Sequence, residues 1–161
     1  MTNFATLDAF DRAILAIVQE DCTLTHARVG ARVGLSASAV RRRLEAMRAS
    51  GVIAREVAIA RDDALGPMVR VLVTVIFERE SPAIHAAFRA RMVREPAVTH
   101  CFSTAGQFDF FLIVEAESLA AYEAWGERTL MGDPDIRRYD SFVVWSVVKA
   151  TTARPALSRA G

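Results

Sequence analysis

The chain has 161 residues, 52% of them hydrophobic, and a formal net charge of +1. This is enough apolar material for one packed core or two small ones, and it argues against disorder. The longest apolar runs fall short of the roughly 20 residues a bilayer-spanning helix needs, and the opening MTNFATLDAFDR is acidic where a secretion signal is basic. A cytoplasmic protein with no membrane partner is expected. Cys22 and Cys101 are far apart and in no CxxC pair, so both are expected as reduced thiols.

Taken in order, Asp8 opens a first helix whose face carries Leu7, Phe10, Ile14, Leu15 and Val18 at helical spacing, while Asp8, Asp11, Arg12 and Gln19 face water. Residues 19–21 loop. Thr25 is placed to cap a second helix running to Val33, which Gly34 stops. Gly30 puts a small residue where this helix must pack closely. Ser36 caps a third helix to Ala49, with Val40, Leu44 and Met47 pointing inward, and Gly51 ends it. Two short helices joined by a Gly-containing turn make a helix-turn-helix, whose second helix enters the DNA major groove. The alternating run 52–59 predicts a strand pair, or wing. Gly66-Pro67 marks a domain boundary.

Charge agrees with this placement. Between Leu24 and Arg61 eight arginines face two glutamates, a local charge of +6 on a chain that is nearly neutral. A basic island of this kind is the footprint of a phosphate-binding surface. Ser36, Ser38, Arg41 and Arg42 lie on the first turns of the third helix, opposite Val40 and Leu44, where arginine can read guanine O6 and N7. Arg28, Arg32 and Arg55 are placed to touch phosphates. Arg43 lies near the apolar face, where a salt bridge inside the domain competes with phosphate contact.

Beyond the boundary, residues 69–77 read as a strand and 82–95 as a helix with Ile84, Phe88 and Met92 on one face. Strands follow over 98–104 and 110–116, joined by the turn 105–109. A second helix over 119–130 presents Leu119, Tyr122 and Trp125 or Gly126 to a sheet, and a long strand covers 136–148. The order βαββαβ is the ferredoxin-like pattern. The fold class is therefore α+β: a winged helix-turn-helix over 1–60, a linker at 61–67, a ferredoxin-like domain over 68–150 and a polar, mobile tail at 151–161. One sheet face has no helices to cover it, and strands such as 71–77 are apolar on both sides, which predicts back-to-back dimers.

This architecture resembles the Lrp/AsnC family, the leucine-responsive and feast/famine transcriptional regulators, over roughly residues 5 to 150. Leu7-Asp8, Asp11 and Ile14-Leu15 are similar to its opening helix. Val33-Gly34-Leu35-Ser36, Val40, Arg43-Leu44-Glu45 and Gly51-Val52-Ile53 are similar to its recognition helix and wing, and Gly66 to a linker glycine. Gly106-Gln107-Phe108-Asp109-Phe110 is similar to its G-x-x-D-[YF] effector turn. Gly30 stands where alanine is commoner, and the triplet Arg41-Arg42-Arg43 is more basic than the pattern. By itself the 105–109 stretch is accounted for by turn chemistry, where Asp and Gly are favoured. The resemblance implies an effector site at Thr104, Gly106, Gln107 and Asp109, suited to an amino acid, and assembly of dimers up to octamers. The implied function is a DNA-binding regulator, acting on double-stranded DNA and sensing a small molecule. Two alternatives share the fold or the charge: a tetrapyrrole decarboxylase of the haem pathway, and a nucleoid-type architectural protein. The histidines His26, His85 and His100 show no metal-ligand spacing, and no nucleophile or phosphate-loop motif occurs. No catalytic site, metal or cofactor is expected.

Overall fold

The computed structural model describes residues 7–61, 64–79 and 81–155. By contacts the chain divides into two units, Met1–Ile59 with Lys149–Gly161, and Ala60–Val148.

The first unit is built on three helices, each with a side-chain cap at its start. Helix α1 (Ala9–Val18) opens with a capping box: the Asp8 carboxylate accepts the Asp11 N–H at 2.8 Å, and Asp11 accepts the Asp8 N–H at 3.1 Å. Helix α2 (His26–Val33) is capped by Thr25 and α3 (Ala37–Ala49) by Ser36. Ile14, Val29 and Val40 are wholly buried between them, with Leu44 and Met47 nearly so. Burying each such side chain contributes about 1.5–3 kcal/mol.

The turn between α2 and α3 leaves no room for a side chain at its pivot. A Cβ on Gly30 would lie 2.3 Å from the Leu35 carbonyl oxygen, an impossible distance. Gly34 ends α2 with φ 74°, a left-handed conformation that costs an L-residue strain. The close approach foreseen at Gly30 is real, and its neighbour is the turn leading into α3.

The wing differs from the expected strand pair. Residues 52–61 contain no strand. Val52 and Ile53 pack on the helical core, and Arg48 grips Glu56 with two hydrogen bonds of 3.1 and 2.6 Å. Val57 and Ile59 stay exposed. The run has no turn residue at its middle, where Arg55 and Glu56 stand, so it cannot fold back to pair with itself.

The second unit is a four-stranded antiparallel sheet, β1 (Val69–Phe77), β2 (Val98–Ser103), β3 (Phe110–Ala116) and β4 (Ile136–Val143), in the order β2-β3-β1-β4. Helix α4 (Pro82–Met92) and helix α5 (Leu119–Gly126) complete the βαββαβ order. Val71, Val73, Val75 and Phe77 of β1 and Phe110, Leu112 and Val114 of β3 share one core with Phe88, Met92, Tyr122, Trp125 and Leu130.

The second unit departs from the predicted pattern at several points. Helix α4 stops at Met92, ahead of the Glu95-Pro96 step, because proline disfavours helical backbone before it. Helix α5 widens into a π-helical turn, Glu127–Met131, that buries Thr129 and Leu130. Leu119, expected to face the sheet, is half exposed. Strand β4 ends at Val143, five residues early; Val71 and Val143 are its last pair with β1, and beyond them the Val144 N–H donates to the Arg70 carbonyl at 2.9 Å.

Gly30→Ala should destabilise the first unit by about 1–3 kcal/mol, the usual cost of overpacking, while the melting of the second unit is unchanged. Calorimetry that resolves the two units checks this.

Candidate DNA interface and effector turn

The 3.6-residue period of α3 separates its two faces. Val40, Leu44 and Met47 go into the core, and Ser38, Arg41, Arg42 and Glu45 go to solvent as a stripe. Arg41 Nε stands 3.8 Å from Glu45 Oε1, an exposed pair one turn apart that costs little to open. Arg42 is exposed and makes no ion pair among the described residues. Ser36 is committed to its cap, its Oγ accepting the Ala39 N–H at 3.2 Å and lying 3.1 Å from Ser38 Oγ.

Arg28 and Arg32 on α2 and Arg55 after α3 are all exposed. The Asp21 carboxyl is held below its ordinary range, first by the Thr23 hydroxyl at 2.6 Å, then by the Thr23 N–H, with Arg28 and Arg32 adding a smaller attraction. Those two arginines therefore carry a nearby countercharge.

The third arginine of the triplet behaves differently. Arg43 Nη1 donates to Asp8 Oδ2 at 2.7 Å and to Asp11 Oδ1 at 2.8 Å, and its guanidinium lies 5.6 Å from the centre of the Phe10 ring. Asp11, expected to face water, is only 16% exposed in its side chain. The pairing raises the Arg43 pKa, chiefly through Asp11, while the Asp11 N–H first and Arg43 after it lower that of Asp8. Of the two roles open to Arg43 from its position, the structure has it in the salt bridge. The α1 carboxylates hold its side chain away from the exposed stripe of α3.

In the second unit, Thr104, Gly106, Gln107 and Asp109 come together in one turn between β2 and β3. The Thr104 N–H donates to the Asp109 carbonyl at 2.9 Å, and Thr104 Oγ1 donates to the Phe108 carbonyl at 2.5 Å, closing the turn. Gly106 and Gln107 are exposed at its tip, and their N–H groups make no hydrogen bond among the described residues. Asp109 points into the fold. Its Oδ2 accepts the Phe77 N–H at 2.8 Å, where the β1–β4 register shifts, and its Oδ1 lies 3.8 Å from His85 Nε2. His85 Nε2 is buried without a hydrogen-bond partner, and its ring lies against Phe77 and Phe110. Neither Phe77 nor His85 could be linked to the turn by spacing, since they lie 32 and 24 residues before Asp109.

The sheet face away from the helices is also defined by the register. Leu72, Ile113, His100 and Phe142 lie in one row across the strands, and Thr74, Phe111, Phe102 and Asp140 in the next. The Arg70–Glu115 pair closes one end and the Arg138–Asp140 pair the other. His100 and Cys101 face opposite sides, as alternation requires, pairing with Ile113 and Leu112 respectively. Both cysteines are free. No helix among the described residues is long and apolar enough to cross a membrane, and no group of three or more His, Cys, Asp or Glu there could hold a metal ion.

Comparison with known proteins agrees with both halves of this description. The profile of the AsnC-type helix-turn-helix domain matches residues 7–48, and that of the Lrp/AsnC ligand binding domain matches residues 70–154. An HTH-type transcriptional regulator of Sinorhizobium fredii is 36% identical, covering 92% of this chain and 88% of its own. The crystal structure of an AsnC family transcriptional regulator from Agrobacterium tumefaciens superposes with a TM-score of 0.85 at 32% identity, covering 92% of this chain and 97% of that one. A transcriptional regulator of Neisseria meningitidis, solved as an L-Met complex, also reaches 0.85 at 27% identity, covering 93% and 97%. The chain belongs to the Lrp/AsnC family of transcriptional regulators, with an AsnC-type helix-turn-helix domain ahead of an Lrp/AsnC ligand binding domain.

Proposed function

We propose that this regulator reads double-stranded DNA with Ser38, Arg41 and Arg42 of α3, senses an amino acid at the turn formed by Thr104, Gly106, Gln107 and Asp109, and works in the cytoplasm as an assembly of identical subunits. The observation that carries the reading is the outward stripe on α3, held by a helix-turn-helix whose pivot admits only glycine. A rigid helix with two adjacent exposed arginines suits paired hydrogen bonds to guanine. Arg28, Arg32 and Arg55 supply sequence-independent phosphate contact. With Arg43 tied to α1, the triplet offers DNA two arginines, which favours base reading over a purely architectural role. Regulation requires no catalytic step.

The amino acid is argued from the turn. Unpaired N–H groups at Gly106 and Gln107 suit a carboxylate, and Asp109 Oδ1 retains acceptor capacity for an ammonium. The L-Met complex of the Neisseria relative points to the same class of ligand. The bare sheet face supports a homodimer, since no helix covers Leu72, Ile113, Phe142, Phe111 and Phe102 on its rows. Effector binding then shifts the population between arrangements of that assembly, and DNA affinity follows.

Arg42→Ala should weaken binding to the specific operator by about 1–3 kcal/mol while sparing random DNA. Arg28→Ala should weaken both alike and reduce the salt slope by about one. Arg43→Ala should lower the melting temperature without changing base preference. Titrations of operator and random duplex at several salt concentrations distinguish the three, and identical behaviour would remove α3 as the reader.

Phe111→Glu places a charge in the middle of the bare sheet face. Sedimentation should then give a single chain of 17.7 kDa with the wild-type helical signal retained. Persistence of the wild-type assembly would move the interface elsewhere.

Asp109→Ala would orphan the Phe77 N–H as well as remove the carboxylate, so the informative change is Asp109→Asn, which keeps an acceptor for Phe77. It should leave the fold intact and cost the amino acid about 3–5 kcal/mol, the penalty for an ammonium left without its partner. Calorimetry with the amino acid that stabilises the wild type measures this. Undiminished affinity would make Asp109 an anchor of the turn alone.

A further inference from the structure

The tail read from sequence as mobile is held in place through Pro155. Contacts assign Lys149 and the residues after it to the first unit, although the ligand-binding family match continues to residue 154. The chain therefore passes between its units twice, once at residues 59–60 and again at 148–149.

The returning segment has a specific anchor. Gln19, the C-cap of α1, donates from Nε2 to the Arg154 carbonyl at 3.1 Å and accepts the Arg154 N–H on Oε1 at 2.9 Å. One side-chain amide thus takes both backbone groups of one residue, as a neighbouring strand would. The Thr151 Oγ1 accepts the Ala153 N–H at 3.1 Å and bends the segment just before the anchor. Thr152, Arg154 and Pro155 then line a groove of about 1150 Å³ with Leu15, Val18 and Ile53 of the helical unit.

We infer that Lys149–Pro155 is a strap through which the ligand-binding unit acts on the DNA-binding unit, with Gln19 as its fixing point. The inference rests on the regulatory reading above. The segment follows directly on β4 and residues 144–148, and seven residues reach at most about 25 Å even when fully extended. A short tether transmits displacement only if its far end is fixed, and the Gln19 amide fixes it to α1. Helix α1 in turn holds α3 through Arg43, so a pull on the strap bears on the helix that carries the reading stripe.

The test uses the full chain, the Gln19→Leu variant, a chain ending at Lys149 and a control ending at Pro155, with random-sequence duplex DNA at low salt as the probe. In Gln19→Leu the Arg154 amide should exchange its hydrogen about tenfold faster or more than in the full chain. Because coupling is reciprocal, DNA binding should slow exchange at Val144, whose N–H closes the end of β4 onto Arg70. This effect should persist in the chain ending at Pro155 and disappear in the chain ending at Lys149. Equal Arg154 exchange in wild type and Gln19→Leu would overturn the anchor. A DNA effect at Val144 that survives loss of the strap, or is missing from the full chain, would overturn the coupling. The amino acids are then screened separately by thermal shift on the same four chains. A full chain that responds to none of them sinks the effector reading and leaves the DNA-driven result to judge the strap.

Discussion

The contact on which the DNA-binding half depends is Arg43 held between Asp8 and Asp11. These two carboxylates also form the capping box of α1, so one small network starts a helix and ties it to the next helix but one. Each partner serves twice. The arginine is only a quarter exposed in its side chain, and its donors are directed at charged acceptors, which makes the bonds stronger than those of an exposed pair. With Arg43 turned inward, the next two positions back along α3, Arg42 and Arg41, are set outward by helical geometry. The exposed stripe of α3 is thus oriented by an arginine that lies outside it.

Asp109 has a similar place in the other half. Its carboxylate accepts the N–H of Phe77 at a point where the β1–β4 ladder is irregular and cannot satisfy that group. A buried N–H left unpaired costs about 1–3 kcal/mol, so Asp109 holds the turn between β2 and β3 to β1. His85, packed on Phe77 and Phe110, lies beside that carboxylate with its Nε2 3.8 Å from Asp109 Oδ1 and without a hydrogen-bond partner. The turn is thereby fastened to β1, an inner strand that pairs with both β3 and β4.

Much of the fold was legible in the residues alone. The three N-caps Asp8, Thr25 and Ser36, the close approach at Gly30, and strands β1 and β3 to the residue all follow from patterns confined to a few neighbouring positions. Caps bind within three residues, and the periods of helix and strand are set by backbone geometry, so such features need no knowledge of the rest of the chain. The stripe on α3 was legible for the same reason. The sequence by itself thus determined the elements, their order and the outward face of the recognition helix.

What the tertiary structure decided is which of several suitable partners each group finds. Arg43 could have met phosphate, and whether it meets Asp8 and Asp11 depends on how α1 packs across α3. The run 52–59 alternates well enough for a wing, but a strand exists only where another backbone lies alongside, and within the described chain none does. Strand β4 stops where its pairing with β1 ends, at Val71 and Val143, although its own residues stay largely apolar to Val148. The tail is polar and reads as loose, yet Gln19, 135 residues earlier, binds both backbone groups of Arg154. Hydrogen bonds and ion pairs are short-ranged in space and indifferent to separation along the chain, so their pairing is settled only once packing has brought the groups together.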